Sequence, residues 1–245
     1  MAYEQESIKP YNQQESKGSQ VATMFNHIAP AYDFFNSLSS FGLDRYWRRK
    51  GIDALKSFVP QDILDVATGT GDLALLAAKR LKPRRVIGVD ISDGMMEVGR
   101  QKVIRADLQQ TISFQHEDCT RLSFEGECFD AVTASFGIRN FQQLDTALAE
   151  MLRVLRPGGH LMLLELSQPQ SAPMKQLFWL YSHLVMPLMG ALISGDRKAY
   201  SYLTASIEAF PQGEVMEQTL KRIGFGQVCW KRLTFGVCTL YIATK

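Results

Sequence analysis

Apolar positions along this chain follow two rhythms. Short continuous runs such as Ile63 to Val66 and Val86 to Val89 suit strands buried on both faces. Between them, apolar residues recur every three or four positions, as the inner face of a helix requires. The pattern predicts a strand near 62–67, a helix over 71–81, a strand over 85–90, a helix over 93–106, strands at 111–116 and 129–135, a helix over 143–154 and a strand over 159–165. Leu144, Ala147, Leu148, Met151, Leu152 and Leu155 mark the last of these helices, and Pro157-Gly158-Gly159 is expected to end it sharply. Such alternation specifies an α/β fold, a mostly parallel sheet covered by helices on both faces.

The rhythm changes at both ends. Residues 1–18 are polar and read as a mobile tail, leaving residues 19–245 as a single domain. From Val21 to Phe58, apolar and aromatic residues recur at helical spacing, which predicts a helical cap over 19–58, cut by Pro30 and Gly42 into short helices. Lying before the first strand, that cap could close over a ligand. After Ser167 a helical insertion is expected over 168–210. It contains the apolar run Leu177 to Ile193, in which Pro187 and Gly190 argue against a membrane span. Helices near 197–209 and 213–223 follow, then β-type runs from Gln227 to Phe235 and Val237 to Thr244. Gly236 between them leaves room only for a tight turn, hence an antiparallel hairpin.

The segment Ile63 to Ala78 organises the rest, as strand, glycine turn and helix, the opening unit of a nucleotide-binding sheet. Gly69-x-Gly71-x-x-Ala74 fits a dinucleotide fingerprint, and Asp90 stands where a ribose-binding acid belongs. Charge separates the candidates. Asp65 and Asp72 bracket the turn and would repel a diphosphate. S-adenosylmethionine carries an ammonium and a sulfonium and no phosphate, so it is the expected cofactor. The amides of Gly69, Thr70 and Gly71 would let its methionine part approach closely.

Composition narrows the picture further. A net charge of +2 gives no support to general polyanion binding, so no nucleic-acid partner is expected. The basic clusters Arg45 to Lys50 and Lys79 to Arg85 read as solvated helix faces. Cys119, Cys128, Cys229 and Cys238 have no metal or disulfide spacing, and the four histidines are scattered, so neither a metal site nor a disulfide frame is expected. The N-terminus has no apolar run of signal-peptide type, which reads as a cytoplasmic protein.

Beyond these readings the chain resembles the UbiE/MenG family of quinone-biosynthesis C-methyltransferases, from about Ala22 to Lys245. The resemblance rests on four ordered segments: Tyr32 to Arg49 (YDFFNSLSSFGLDRYWRR), DVATGTGDL followed by VIGVDIS, SFGIRNF from Ser135 to Phe141, and RVLRPGGHLMLLELS from Arg153 to Ser167. Tyr200, Tyr202, Leu203, Ser206, Ile207 and Phe210-Pro211 fit the family's YxYLxxSIxxFP stretch. Many relatives have His where this chain has Asp44, and others have an acid. The resemblance implies a class I S-adenosylmethionine-dependent methyltransferase, Rossmann-like, with a seven-stranded mostly parallel sheet, a C-terminal antiparallel hairpin and a helical insertion after the fifth strand. It places cofactor contacts at Thr70, Asp90, Asp118, Cys119 and Ser135, with Asp90 on the ribose and Asp118 and Cys119 beside the adenine.

The implied reaction is methylation of a ring carbon in a polyprenylated hydroquinone. Arg139 would stabilise the aryloxide and Asn140 would hydrogen-bond the second ring oxygen; Tyr32 could orient the ring. Demethylmenaquinol and a methoxy-polyprenyl-benzoquinol both remain open, with the first favoured by the similarity of Asp44 and the C-terminal FGVCTLYIATK to menaquinone-only relatives. The run Leu177 to Ile193 would suit the isoprenoid tail and a transient contact with the inner face of the membrane; buried core and a homodimer contact are its other readings. A nicotinamide-dependent reductase, a nucleic-acid methyltransferase and a non-catalytic subunit of a quinone-synthesis assembly are the alternatives of different class.

Overall fold

The computed structural model describes residues 3–186, 188 and 197–245. Their strands form one seven-stranded sheet of order β3-β2-β1-β4-β5-β7-β6. β1 (Asp62–Val66), β2 (Arg85–Asp90), β3 (Ile112–His116), β4 (Phe129–Ser135) and β5 (Leu155–Leu166) run parallel. β7 (Cys238–Thr244) pairs antiparallel with β5 and with β6 (Val228–Leu233), closing the expected hairpin. Strand order reverses at β1, between β2 and β4. That is where an open α/β sheet leaves a crevice at its carboxyl edge.

All five residues of β1 are buried, because helices cover both faces. Side chains alternate across the strand. Leu64 and Val66 join a core with α6 (Leu144–Val154) and α9 (Glu214–Ile223), whereas Ile63 packs on the opposite face with α3 (Leu43–Ala54) and α4 (Asp72–Leu81). α5 (Asp93–Arg105) flanks β2 and β3.

The structure departs from the sequence reading in three places. Pro30 does not end a helix: α2 runs unbroken over Lys17–Ser39. Proline costs one backbone bond, but Ile28, Ala29 and Phe35 are buried on either side and hold the helix together. Pro157-Gly158-Gly159 lies within the start of β5, where the β4–β5 register shifts.

The third departure is the tail. From residue 3 onward it packs against the body. The short helix α1 (Glu4–Ser7) lies beside the start of α6, where Glu6 Oε1 accepts from Leu144 N at 2.8 Å. Tyr3 Oη donates to Asp145 Oδ1 at 2.8 Å, and Gln5 is fully buried. A carboxylate suits a helix N-terminus. The polar composition that reads as solvated is thus used for capping.

In the insertion, α7 (Met174–Leu180) continues through a π-type turn at Tyr181–Val185, and α8 spans Arg197–Ala209. Residues 187 and 189–193 of the apolar run lie outside the described residues. Among those described, no helix is long and apolar enough to cross a membrane.

Candidate functional site

The crevice is built from the turn after β1. Ala67, Gly69 and Gly71 all take positive φ (52°, 56° and 76°), folding the backbone back toward β2. Gly71 is required twice: by its φ, and because a Cβ there would lie 2.7 Å from the Phe114 ring. Asp90 at the end of β2 locks the turn, with Oδ2 accepting from Gly69 N at 2.8 Å and Oδ1 from Ser92 N at 2.9 Å. Burial pushes the Asp90 carboxyl up, against these two amide contacts. Each oxygen still has capacity to accept from a ligand hydroxyl.

Above this turn lies a cleft of about 530 Å³. Gly69, Asp90, Asp118, Cys119 and Ser135 line it, as the sequence reading expected of cofactor contacts, and Val66, Val89 and Met95 supply apolar wall. Asp118 Oδ1 is already used, accepting from both Thr120 N and Thr120 Oγ1 at 2.8 Å. Burial raises the Cys119 thiol, which suits a wall and not a nucleophile. Thr70 and Gly71 are not among the lining residues. Thr70 is buried and donates to Asp33 Oδ1 of α2 at 2.6 Å.

The carboxylates that face the cleft differ from the pair named in the sequence. Asp65 is fully buried beneath Thr68 Oγ1 (2.6 Å) and Thr133 Oγ1 (2.7 Å), and burial raises its pKa to about 6. Asp72 is paired with Lys102, with Arg48 3.8 Å away. Neither lines the cleft. Asp90, Glu117 and Asp118 do, and no Lys or Arg is among the described lining residues. The cleft walls thus favour a cationic ligand and disfavour a pyrophosphate through Asp90, Glu117 and Asp118, not through Asp65 and Asp72.

A second, mostly apolar cavity of about 110 Å³ adjoins the first, beneath the cap. The two share Phe25, Tyr32, Phe136 and Asn140. Phe136, at φ 59°, is a non-glycine residue held in the left-handed region where the cavities meet. Arg48, Arg139, Asn140 and Tyr202 all line this inner cavity. Each carries a buried polar atom without a hydrogen bond among the described residues: Arg48 Nε, Arg139 Nε, Asn140 Oδ1 and Tyr202 Oη. Leaving such an atom unsatisfied costs about 1–3 kcal/mol, so a ligand with polar atoms among apolar ones would be welcomed.

Arg139 and Asn140 sit on a 3₁₀ turn, Ile138–Asn140, just past β4. Arg139 is only 6% exposed, so it is no solvated ion pair. Its Nη1 donates to Glu165 Oε1 at 2.9 Å and to the Phe136 carbonyl. Burial raises the Glu165 carboxyl, opposed by the Arg139 guanidinium. From α2, Lys17 Nζ donates to Gln5 O (2.6 Å) and Arg139 O (3.2 Å), fastening the N-terminal segment to the back of this turn. Desolvation, then the charge of Arg139, lowers the Lys17 ammonium to about 7.

Several of these residues were not singled out from sequence. Arg48 sits in the basic stretch read as a solvated face, yet it is buried and its Nη1 donates to Asp44 Oδ2 at 2.5 Å. Glu165 did carry a signal, as the only acid in the apolar run of β5. Asp33 and Lys102, which meet over the glycine turn at 2.7 Å, carried none.

The chain matches the model of the ubiE/COQ5 methyltransferase family over residues 13–245. It is 58% identical over 245 residues to a demethylmenaquinone methyltransferase of Bacteroides fragilis, covering 100% of both chains. A Porphyromonas gingivalis protein of the same name is 45% identical over 241 residues, with 98% of each chain covered. Among solved structures, a SAM-dependent methyltransferase of Thermotoga maritima superposes with a TM-score of 0.61 at 18% identity, covering 91% of this chain and 99% of that one, a likeness of fold.

Proposed function

The chain belongs to the ubiE/COQ5 methyltransferase family, and on that premise we propose that it transfers a methyl group from S-adenosylmethionine to a ring carbon of a polyprenylated hydroquinone, converting demethylmenaquinol to menaquinol. The observation that carries this reading is the pair of adjoining cavities, one acidic and one apolar with unsatisfied polar atoms, meeting at Phe136 and Asn140. Bound in the cleft, the cofactor supplies a methyl group made electrophilic by its sulfonium. Asp90 accepts from the ribose hydroxyls, and Glu117 and Asp118 make the cleft favourable for positive charge. Asn140 Oδ1 accepts from a ring hydroxyl at the junction. Arg139 Nε donates to the oxygen beside the reacting carbon, where negative charge develops. The cap (α2 and α3) shields the reacting ring from water and aligns carbon, methyl and sulfur.

The test is methyl transfer from labelled S-adenosylmethionine to reduced demethylmenaquinone, in competition with a methoxy-polyprenyl-benzoquinol. Methylation of the naphthoquinol is expected to dominate. Preference for the benzoquinol would reassign the ring, and no methylation of either would leave the protein a non-catalytic subunit.

Asp90→Ala is expected to weaken S-adenosylmethionine binding by about 2 kcal/mol, through loss of charge-assisted ribose contacts. Because Asp90 also ties down the Gly69 and Ser92 amides, calorimetry on Asp90→Asn should show an intermediate loss. Unchanged affinity in both variants would remove Asp90 from the cofactor site.

The substrate's tail belongs to a bilayer, and the exposed apolar patch beside the cavity-lining Phe178 and Tyr181 suits a peripheral encounter with one. Leu177 and Trp179 on α7 and Phe41 at the end of the α2 segment are 55%, 56% and 80% exposed. Tyr181 links the two patches, donating to Ser39 O at 2.6 Å with its ring centroid 6.0 Å from that of Phe41. Phe178 instead lines the cavity. Replacing Phe41, Leu177 and Trp179 by serine should reduce vesicle binding and use of long-tailed acceptors more than of short-tailed ones. Equal loss on both, with a changed oligomeric state, would make this face a contact between two copies.

A further inference from the structure

Arg48 is charged, buried and only partly satisfied. Its Nη1 donates to Asp44 Oδ2, and Asp44 Oδ1 accepts from Ser40 Oγ at 2.9 Å, so the pair is held from the end of α2. The guanidinium lies over the Phe136 ring, 5.1 Å from its centroid, and Trp47 packs edge-on against the same ring at 6.1 Å. Nε has no partner. A guanidinium offers five donors, and burying one among aromatic rings is unfavourable unless those donors are used. Asp44 and Arg48 both line the inner cavity, together with Arg139. The two arginines reach it from different layers, α3 of the cap and the turn after β4. Each has its own buried carboxylate, Asp44 or Glu165. The Tyr32 phenol, which lines the same cavity and is raised by burial, feels both charges.

A hydroquinone has two oxygens para to one another, one beside the reacting carbon and one remote from it. Asn140 offers its free atom as an acceptor, so the lone pairs of the remote oxygen still need a donor. We propose that Arg48, oriented by Asp44, donates to the ring oxygen remote from the reacting carbon. With Arg139 on the near oxygen, two guanidiniums then fix how the ring is turned in its plane, and so which carbon faces the methyl group. The proposal rests on the hydroquinone reading of the acceptor.

The test compares two acceptors on the full chain: reduced demethylmenaquinone, and a prenylated naphthol that keeps the hydroxyl beside the reacting carbon and lacks the remote one. Wild type is expected to lose about tenfold or more in kcat/KM on the naphthol. Arg48→Met should lose a similar factor on the hydroquinone, mainly through KM, and should discriminate against the naphthol less than wild type does, the remaining loss being the Asn140 contact. S-adenosylmethionine affinity should stay within about twofold of wild type, because Arg48 does not line the cofactor cleft. Arg48→Met strands Asp44 as a buried carboxylate, so Asp44→Asn/Arg48→Met, which removes both charges together, is measured alongside and should behave the same way. Variants that discriminate between the two acceptors as strongly as wild type would return Arg48 to a packing role. Wild type that methylates neither acceptor would overturn the hydroquinone reading itself, and this assignment with it.

Discussion

Replacing Arg139 by alanine is expected to lower turnover about a hundredfold, the scale of losing one oxyanion partner, while S-adenosylmethionine affinity stays near wild type. The structure adds a second consequence. Arg139 Nη1 is the partner of Glu165, which is 1% exposed. Truncating one member of a buried pair leaves an uncompensated charge, costing about 3–5 kcal/mol of stability. A drop in turnover measured on Arg139→Ala alone would therefore mix chemistry with folding. Arg139→Ala/Glu165→Gln separates them. Glutamine resembles the protonated carboxyl toward which burial already pushes Glu165. The double variant should regain most of the lost stability in denaturant titrations and none of the lost turnover. Regained turnover would make Arg139 a folding residue, and Asn140 the better candidate for contact with the reacting ring.

That coupling explains what could be read in the sequence and what could not. The sheet was legible because its strands are buried on both faces, so each appears as an apolar run, and the terminal hairpin because Gly236 leaves no room for a crossover. Asp90 was within reach because it ends a strand nineteen residues beyond Gly71, whereas Asp118, Cys119 and Ser135 came from the family resemblance; all four line one crevice. The inner cavity depends on contacts between distant parts of the chain. Asp33 reaches across to Thr70 and Lys102, Lys17 to the carbonyl of Arg139, and Thr234 Oγ1 accepts from Trp47 Nε1 at 2.7 Å. Such pairs leave no periodicity. A buried Arg48 and a solvated Arg49 look alike in one sequence, since what separates them is the rotational position of α3 against the sheet. Polar composition likewise cannot tell a solvated tail from a segment whose polar groups cap other helices, as Glu6 caps the start of α6.

Methyl transfer is expected only in the presence of a reductant. An oxidised quinone ring is electron-poor and has no ionisable hydroxyl to push density onto carbon, so it should be inert toward an electrophilic methyl group. The hydroquinone has that hydroxyl, and its aryloxide form is the reactive species. Arg139, buried beside the cavity with its Nε unpartnered among the described residues, would favour the anion and lower the pH at which the bound acceptor ionises. Activity should accordingly rise with pH and level off once the bound hydroquinone is ionised. In Arg139→Ala/Glu165→Gln that rise should move to higher pH, because the favourable charge is gone. A purely structural Arg139 would leave the midpoint where it is. The decisive measurement is anaerobic transfer from labelled S-adenosylmethionine to demethylmenaquinone, with and without dithionite. Equal rates on the oxidised quinone, with no reductant present, would rule out aryloxide activation and leave the arginines of the inner cavity to bind the acceptor without activating it.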